Sequence, residues 1–188
     1  MGYKRILVPV DGSPTSNEGL REAIELARAQ QASLRLVHIA DEHVIAAMGL
    51  EYSASVDELM RGVAAAGRRI LRNAERVARR AGVETSAVML ETLTGPVADP
   101  IVREAKKWRA DLIVIGTHGR RGVRRLVLGS DAEQVVRLSP VPVLLVRGPQ
   151  PPGKAQAQPK RAAKRKPKPK PSEASQRVAA IPGYQRGV

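Results

Sequence analysis

Two short stretches carry the residues best suited to chemistry. The first, GTHGRRGVRRLVLGS, places Gly116 and Gly119 three apart and then, after nine intervening residues, Gly129 directly before Ser130. Glycines let backbone amides approach an anion with no Cβ in the way. Ser130 falls where a helix begins, so its hydroxyl and the first helical amides, at the positive end of the dipole, suit a phosphate. Arg120, Arg121, Arg124 and Arg125 bring positive charge to the same loop. The alternative is structural: the glycines merely permit a loop, and Ser130, three residues before Glu133, forms a capping box for its helix. The second stretch is Pro9-Val10-Asp11-Gly12-Ser13. Asp11 reads either as a ligand-facing carboxylate or as a turn residue accepting backbone hydrogen bonds.

Other chemistries are excluded by residue type. The chain has no cysteine, which removes disulfides, thiolate catalysis, iron–sulfur clusters and cysteine-ligated zinc. His38, His43 and His118 share no compact metal-ligand spacing, so no zinc site is read. No Gly-x4-Gly-Lys-Ser/Thr loop is present, which argues against a P-loop ATPase. Neither stretch offers an evident group to orient a water for phosphoryl transfer, so enzymatic activity is left open, at most slow hydrolysis.

The elements that must hold these stretches alternate along the chain. YKRILVPV, SLRLVHIA, ETSAVMLE, DLIVIG and VPVLLVR read as strands, separated by amphipathic helical segments; this βαβα pattern predicts a parallel sheet. Ser13 is the expected N-cap of the first helix and Pro14 its first residue, with Leu20, Ile24, Leu26 and Ala27 on its apolar stripe. Ser55-x-x-Glu58 predicts a second capping box, opening a helix to about Ala81 with Leu59, Val63, Ile70 and Val77 facing inward. Gly95-Pro96 starts a third helix carrying Val97, Ile101, Val102, Ala105 and Trp108, and Pro140 stops the fourth. The expected fold is α/β: a doubly wound five-stranded parallel sheet of order 3-2-1-4-5 with four helices, flavodoxin- or nucleotide-binding-like. In such a sheet ligands bind at the carboxyl ends of the strands, where the order reverses. That point lies between the first and fourth strands, where the two stretches meet.

PVDGS after the first strand, GTHGRRGVRRLVLGS after the fourth and SPVPVLLVR at the fifth together resemble the universal stress protein family over about residues 3–147. Nucleotide-binding members of that family carry Gly-x2-Gly-x9-Gly-Ser/Thr, and this chain reproduces the spacing. The resemblance implies an ATP-binding stress-response module. Pro9 and Val10 would line the adenine pocket, and the backbone of Ile39 would contact the base. Asp11 would lie near the ribose or the metal-bound phosphates, with Mg2+ arriving on the ATP. Gly116, His118, Gly119 and Arg120 would cradle ribose and phosphates, while Gly129, Ser130 and Asp131 would bind the terminal phosphates. Asp131 keeps a second reading, as a carboxylate at the second helical position that complements the dipole. Arg124 and Arg125 read either as phosphate contacts or as solvated charge.

Charge divides the chain. Residues 1–147 hold 22 basic and 17 acidic residues, whereas 148–188 hold 10 basic and one acidic. The first region is read as the nucleotide-binding domain, the second as a disordered basic tail rich in Lys, Pro and Ala, which cannot bury enough surface to offset its ordering entropy. Lysines alternating with prolines and lacking interleaved aromatics read either as a solvated tail that serves solubility or as a segment, 154–170, for sequence-independent, salt-sensitive binding of nucleic acid or another polyanion. The fifth strand is apolar on both faces yet belongs at the sheet edge, a hazard that pairing would remove; the family resemblance implies a homodimer through 142–147. No apolar run approaches the ~20 residues of a membrane span, no secretory signal is read at the N-terminus, and a cytoplasmic location is expected.

Overall fold

The structure is a computed structural model that describes residues 2–41, 54–92, 95–117 and 129–148. All of these fall in a unit spanning Met1–Gln150. The strands are β1 (Arg5–Pro9), β2 (Ser33–Asp41), β3 (Thr85–Thr92), β4 (Leu112–Gly116) and β5 (Val143–Val146). The helices are α1 (Pro14–Gln30), α2 (Ala54–Arg80), α3 (Ala98–Trp108) and α4 (Ser130–Leu138). The five strands form one sheet in the order β3-β2-β1-β4-β5, with every pairing parallel, as expected.

Alternation along each strand sorts its side chains between two cores. Ile6, Val8, Leu34, Leu36, Leu112 and Val114 meet α1 and α2 on one face. Leu7, Val37, Ile113 and Ile115 meet α3 and α4 on the other. Burial on both faces explains the continuous apolar runs of the central strands. At the amino ends, the Asp111 carboxylate accepts the backbone N–H groups of Lys4 and Arg5 at 2.7 and 3.0 Å, fixing β1 against the start of β4. Arg35 of β2 reaches the buried Glu104 of α3 at 2.8 Å and donates to Ser86 Oγ at 3.2 Å.

α1 follows its sequence closely. Ser13 is the N-cap, its side chain accepting from Ser16 N–H, with Pro14 at the first helical position, and Leu20, Ile24 and Ala27 are buried beneath it. α2 follows the expected phase only in part: Ile70 packs partly buried against the core and Val63 is half-buried. Leu59 and Val77, expected inward, are 42% and 47% exposed, and the buried line is instead Leu71, Ala74 and Ala78. The reason is close packing by small residues. A methyl on Gly67 would lie 2.6 Å from His38 Cδ2 and 3.0 Å from Met89 Sδ, so the glycine side of the helix is pressed onto the sheet and the bulkier Leu59 and Val77 turn away. The Ser55 capping box also fails, because the helix already includes Ala54.

Candidate functional site

The chain leaves β1 at Pro9 through a turn fixed by its own polar groups. Val10 is buried; its N–H donates to the Val37 carbonyl at 2.8 Å, and its carbonyl sits 2.6 Å from His38 Nδ1. Asp11 Oδ1 accepts the Ser13 N–H at 2.8 Å, while the Asp11 N–H donates to Ser16 Oγ at 3.1 Å. This is an Asx-type turn feeding straight into the cap of α1. Gly12 has φ +78°, a conformation glycine adopts without a Cβ penalty. The turn reading of Asp11 is therefore met, at the amino-terminal end of α1.

β4 ends at Gly116 against that same turn of helix. A methyl on Gly116 would lie 2.9 Å from both Thr15 Cγ2 and the Thr15 carbonyl oxygen. One on Gly19 would lie 3.4 Å from the Gly116 nitrogen. Gly116 thus serves close helix–strand packing, a role that its place in an anion-binding pattern did not announce. Thr117, buried, donates its N–H to the Val146 carbonyl at 2.8 Å and accepts the Gly129 N–H at 2.9 Å. The chain departs at Thr117 and returns at Gly129 onto one residue. The start of α4 is thereby held at the carboxyl end of β4.

At that start the sequence expectation needs correction. Gly129, not Ser130, is the N-cap, with φ −62° and ψ 146° and no side-chain capping bond. The Glu133 N–H donates to the Gly129 carbonyl at 2.9 Å, and the Glu133 carboxylate pairs with Arg137 at 2.9 Å. Ser130 is the first helical residue and is exposed. A capping box needs its serine three residues before the acid, at the N-cap; with the helix opening one residue earlier, the Ser130 hydroxyl is not used as a cap. Asp131 stands at the second helical position, also exposed, where a carboxylate complements the dipole.

Pro9, Val10, Asp11, Gly116, Gly129, Ser130 and Asp131 thus cluster at the carboxyl ends of β1 and β4, on either side of the point where the sheet order reverses. Ile39 stands one strand away, two residues past the Pro9–Val37 pair in β2. His118, Gly119 and Arg120, with Arg121, Arg124, Arg125 and His43, lie outside the described residues, as do most of the 40–55 segment and the region 149–188. Two residues that sequence reasoning missed are His38 and Thr117. For His38 the signal was a polar side chain in an otherwise buried run, where a partner is required; Thr117 acts here through its main chain, which leaves no mark in the sequence. A second cleft, of about 260 Å3, opens at the amino ends of the strands between Ser33, Glu84, Ser86 and Trp108. There Arg5 lies 4.7 Å above the Trp108 ring. Among the described residues no group of three His, Asp or Glu side chains could hold a metal ion.

A five-stranded doubly wound parallel sheet, with α1 and α4 following β1 and β4 on either side of the reversal in strand order, defines an open-sheet α/β protein. The universal stress protein family model matches residues 2–147, and the chain belongs to that family. It is 36% identical over 148 residues to Universal stress protein MJ0531 of Methanocaldococcus jannaschii, covering 79% of this chain and 84% of that one. Among solved structures it is similar to universal stress protein UspA from Lactobacillus plantarum, at TM-score 0.66 and 25% identity, covering 78% and 99% of the two chains. It is also similar to the universal stress protein from Archaeoglobus fulgidus in complex with dAMP, at TM-score 0.55 and 26% identity, covering 78% and 99%.

Proposed function

We propose that this protein binds ATP, with Mg2+ carried on the phosphates, in the crevice between β1 and β4, and acts as a stress-response regulatory module in the cytoplasm with slow or no hydrolysis. The observation that carries the reading is the Thr117–Gly129 hydrogen bond. It holds the amino terminus of α4 at the carboxyl end of β4, the strand next to β1, where the first-turn amides of α4 and the exposed Ser130 hydroxyl suit a phosphate. The residues present fit a polyphosphate: the motif supplies glycines, a hydroxyl and a helix dipole, and the Archaeoglobus relative is described in complex with a purine nucleotide. In this reading Pro9 and Val10 line the adenine and Ile39 meets it through its main chain. Asp11 lies by the ribose or the metal-bound phosphates. Gly116, His118, Gly119 and Arg120 hold ribose and phosphates, and Gly129, Ser130 and Asp131 take the terminal phosphates. The test is calorimetric titration of Mg·ATP into the full chain at two ionic strengths, with Gly119→Val in parallel. Saturation near one ATP per subunit, lost in the variant, supports the reading; brisk multiple-turnover hydrolysis that the same substitution abolishes would sink the binding-module account.

Two further features extend it. Leu144 and Leu145 are exposed on the edge strand β5, which favours a homodimer through 142–147. The excess of basic residues after residue 147, ten against one acidic, favours a tail over 148–188 whose 154–170 stretch binds nucleic acid or another polyanion through its backbone charge. In that arrangement residues 1–147 form the nucleotide-binding domain and the tail is an added tether.

A further inference from the structure

His38 lies in β2 on the face covered by α2 and is 6% exposed, an expensive place for an imidazole unless its polar atoms are satisfied. Its Nδ1 is 2.6 Å from the Val10 carbonyl. A carbonyl can only accept, so Nδ1 carries the proton and donates. The neighbouring backbone makes this contact informative. The Val10 N–H goes to the Val37 carbonyl, so β2 grips Val10 at both of its main-chain groups, once by backbone and once by side chain. The next rung of a parallel ladder would run from the Ile39 N–H to that same Val10 carbonyl; it is the His38 ring that occupies it. Strand alternation meanwhile turns the Ile39 main chain to the same side as that of Val37, toward the end of β1 and the crevice. α2 is shaped around the ring, since a methyl on Gly67 would lie 2.6 Å from His38 Cδ2 and 3.0 Å from Nε2.

We infer that His38 is a positioning residue of the crevice: by taking the Val10 carbonyl it ends the β1–β2 ladder, sets the path of the Val10–Ser13 turn, and keeps the Ile39 main chain turned to a nucleotide base. The base-binding half of this rests on the proposed function; the turn-setting half does not. The experiment uses the full chain and compares His38→Asn, whose side-chain amide can stand where Nδ1 stands, with His38→Gln, whose amide falls nearer Nε2, and with His38→Leu. Hydrogen exchange at residues 10–13 is followed without nucleotide, and Mg·ATP affinity is measured alongside. Loss of one buried hydrogen bond should raise exchange at those amides and weaken ATP binding by about tenfold each in Gln and Leu, with Asn near wild type. A His38→Leu chain that fails to fold leaves the Asn–Gln pair to decide. Equal exchange in Asn and Gln, or a ring found protonated at Nε2 in nitrogen NMR of the wild type, would overturn the assignment. Wild-type protein that binds no ATP overturns the proposed function instead, and the exchange data alone then judge His38.

Discussion

Ser13 and Ser130 both stand at the head of a helix that opens on the crevice, yet their hydroxyls are placed for different work. Ser13 Oγ accepts the Ser16 N–H at 3.1 Å, so Ser13→Ala should cost about 1 kcal/mol and lower the melting temperature by roughly 2–4 °C. Ser130 caps nothing, and Ser130→Ala should leave the melt unchanged while weakening ATP binding about five- to tenfold, the worth of one hydrogen bond. Scanning calorimetry and titration on both variants check the contrast; a stability loss confined to Ser130→Ala would reverse the assignment. Asp11 is separable in the same way. Asparagine can still accept the Ser13 N–H, so Asp11→Asn should fold normally yet lose more affinity for Mg·ATP than for metal-free ATP. Equal losses for the two ligands would leave Asp11 as a turn residue only.

At the scale of elements, glycines decide where helices touch the sheet. Gly116→Ala pushes a methyl to 2.9 Å from a backbone carbonyl, an overpacking that should cost about 1–3 kcal/mol. Gly62 in α2 has nothing within 4 Å of its would-be Cβ, so Gly62→Ala should instead stabilise by roughly 0.5–1 kcal/mol. Denaturant melts of the two variants should therefore move in opposite directions, and movement in the same direction would contradict the packing described. The same residues explain what sequence could and could not disclose. Strands β1 and β4 were legible because burial on both faces leaves an unbroken apolar run at their centres, and α1 because Ser13-Pro14 marks its start by chemistry alone. The phase of α2 was legible only in part, at Ile70 and Val63. Apolar residues at Leu59, Val63, Ile70 and Val77 satisfy a helical period, but the buried side is chosen by Gly67 meeting His38, a contact between residues 29 positions apart. Ser130 misled for a related reason: Gly129 is tied to Thr117 across the loop, and a local capping pattern carries no record of that bond. The start of the crevice at Asp11 and Ser13 was readable; His38 and Thr117, which position it, emerge only with the fold.

For the whole molecule, charge separates two modes of binding. Residues 160–170 hold seven basic residues and no acid, so affinity for duplex DNA should fall steeply with salt. The slope of log K against log salt is expected to approach about −6 if all seven lysines and arginines meet phosphates. Filter binding across a salt series, with and without 148–188, measures this, and a flat slope or an unchanged affinity after truncation would refute the tether. The crevice should behave oppositely, because glycine amides, a hydroxyl and helix dipoles act at short range and are screened far less. The most direct test of the central claim is therefore Mg·ATP titration of the full chain at low and high salt beside Gly119→Val. The account predicts one saturable site per subunit whose affinity changes little with salt and vanishes in the variant. Heat that disappears at high salt, or that persists unchanged in Gly119→Val, would contradict it and assign the binding to the tail.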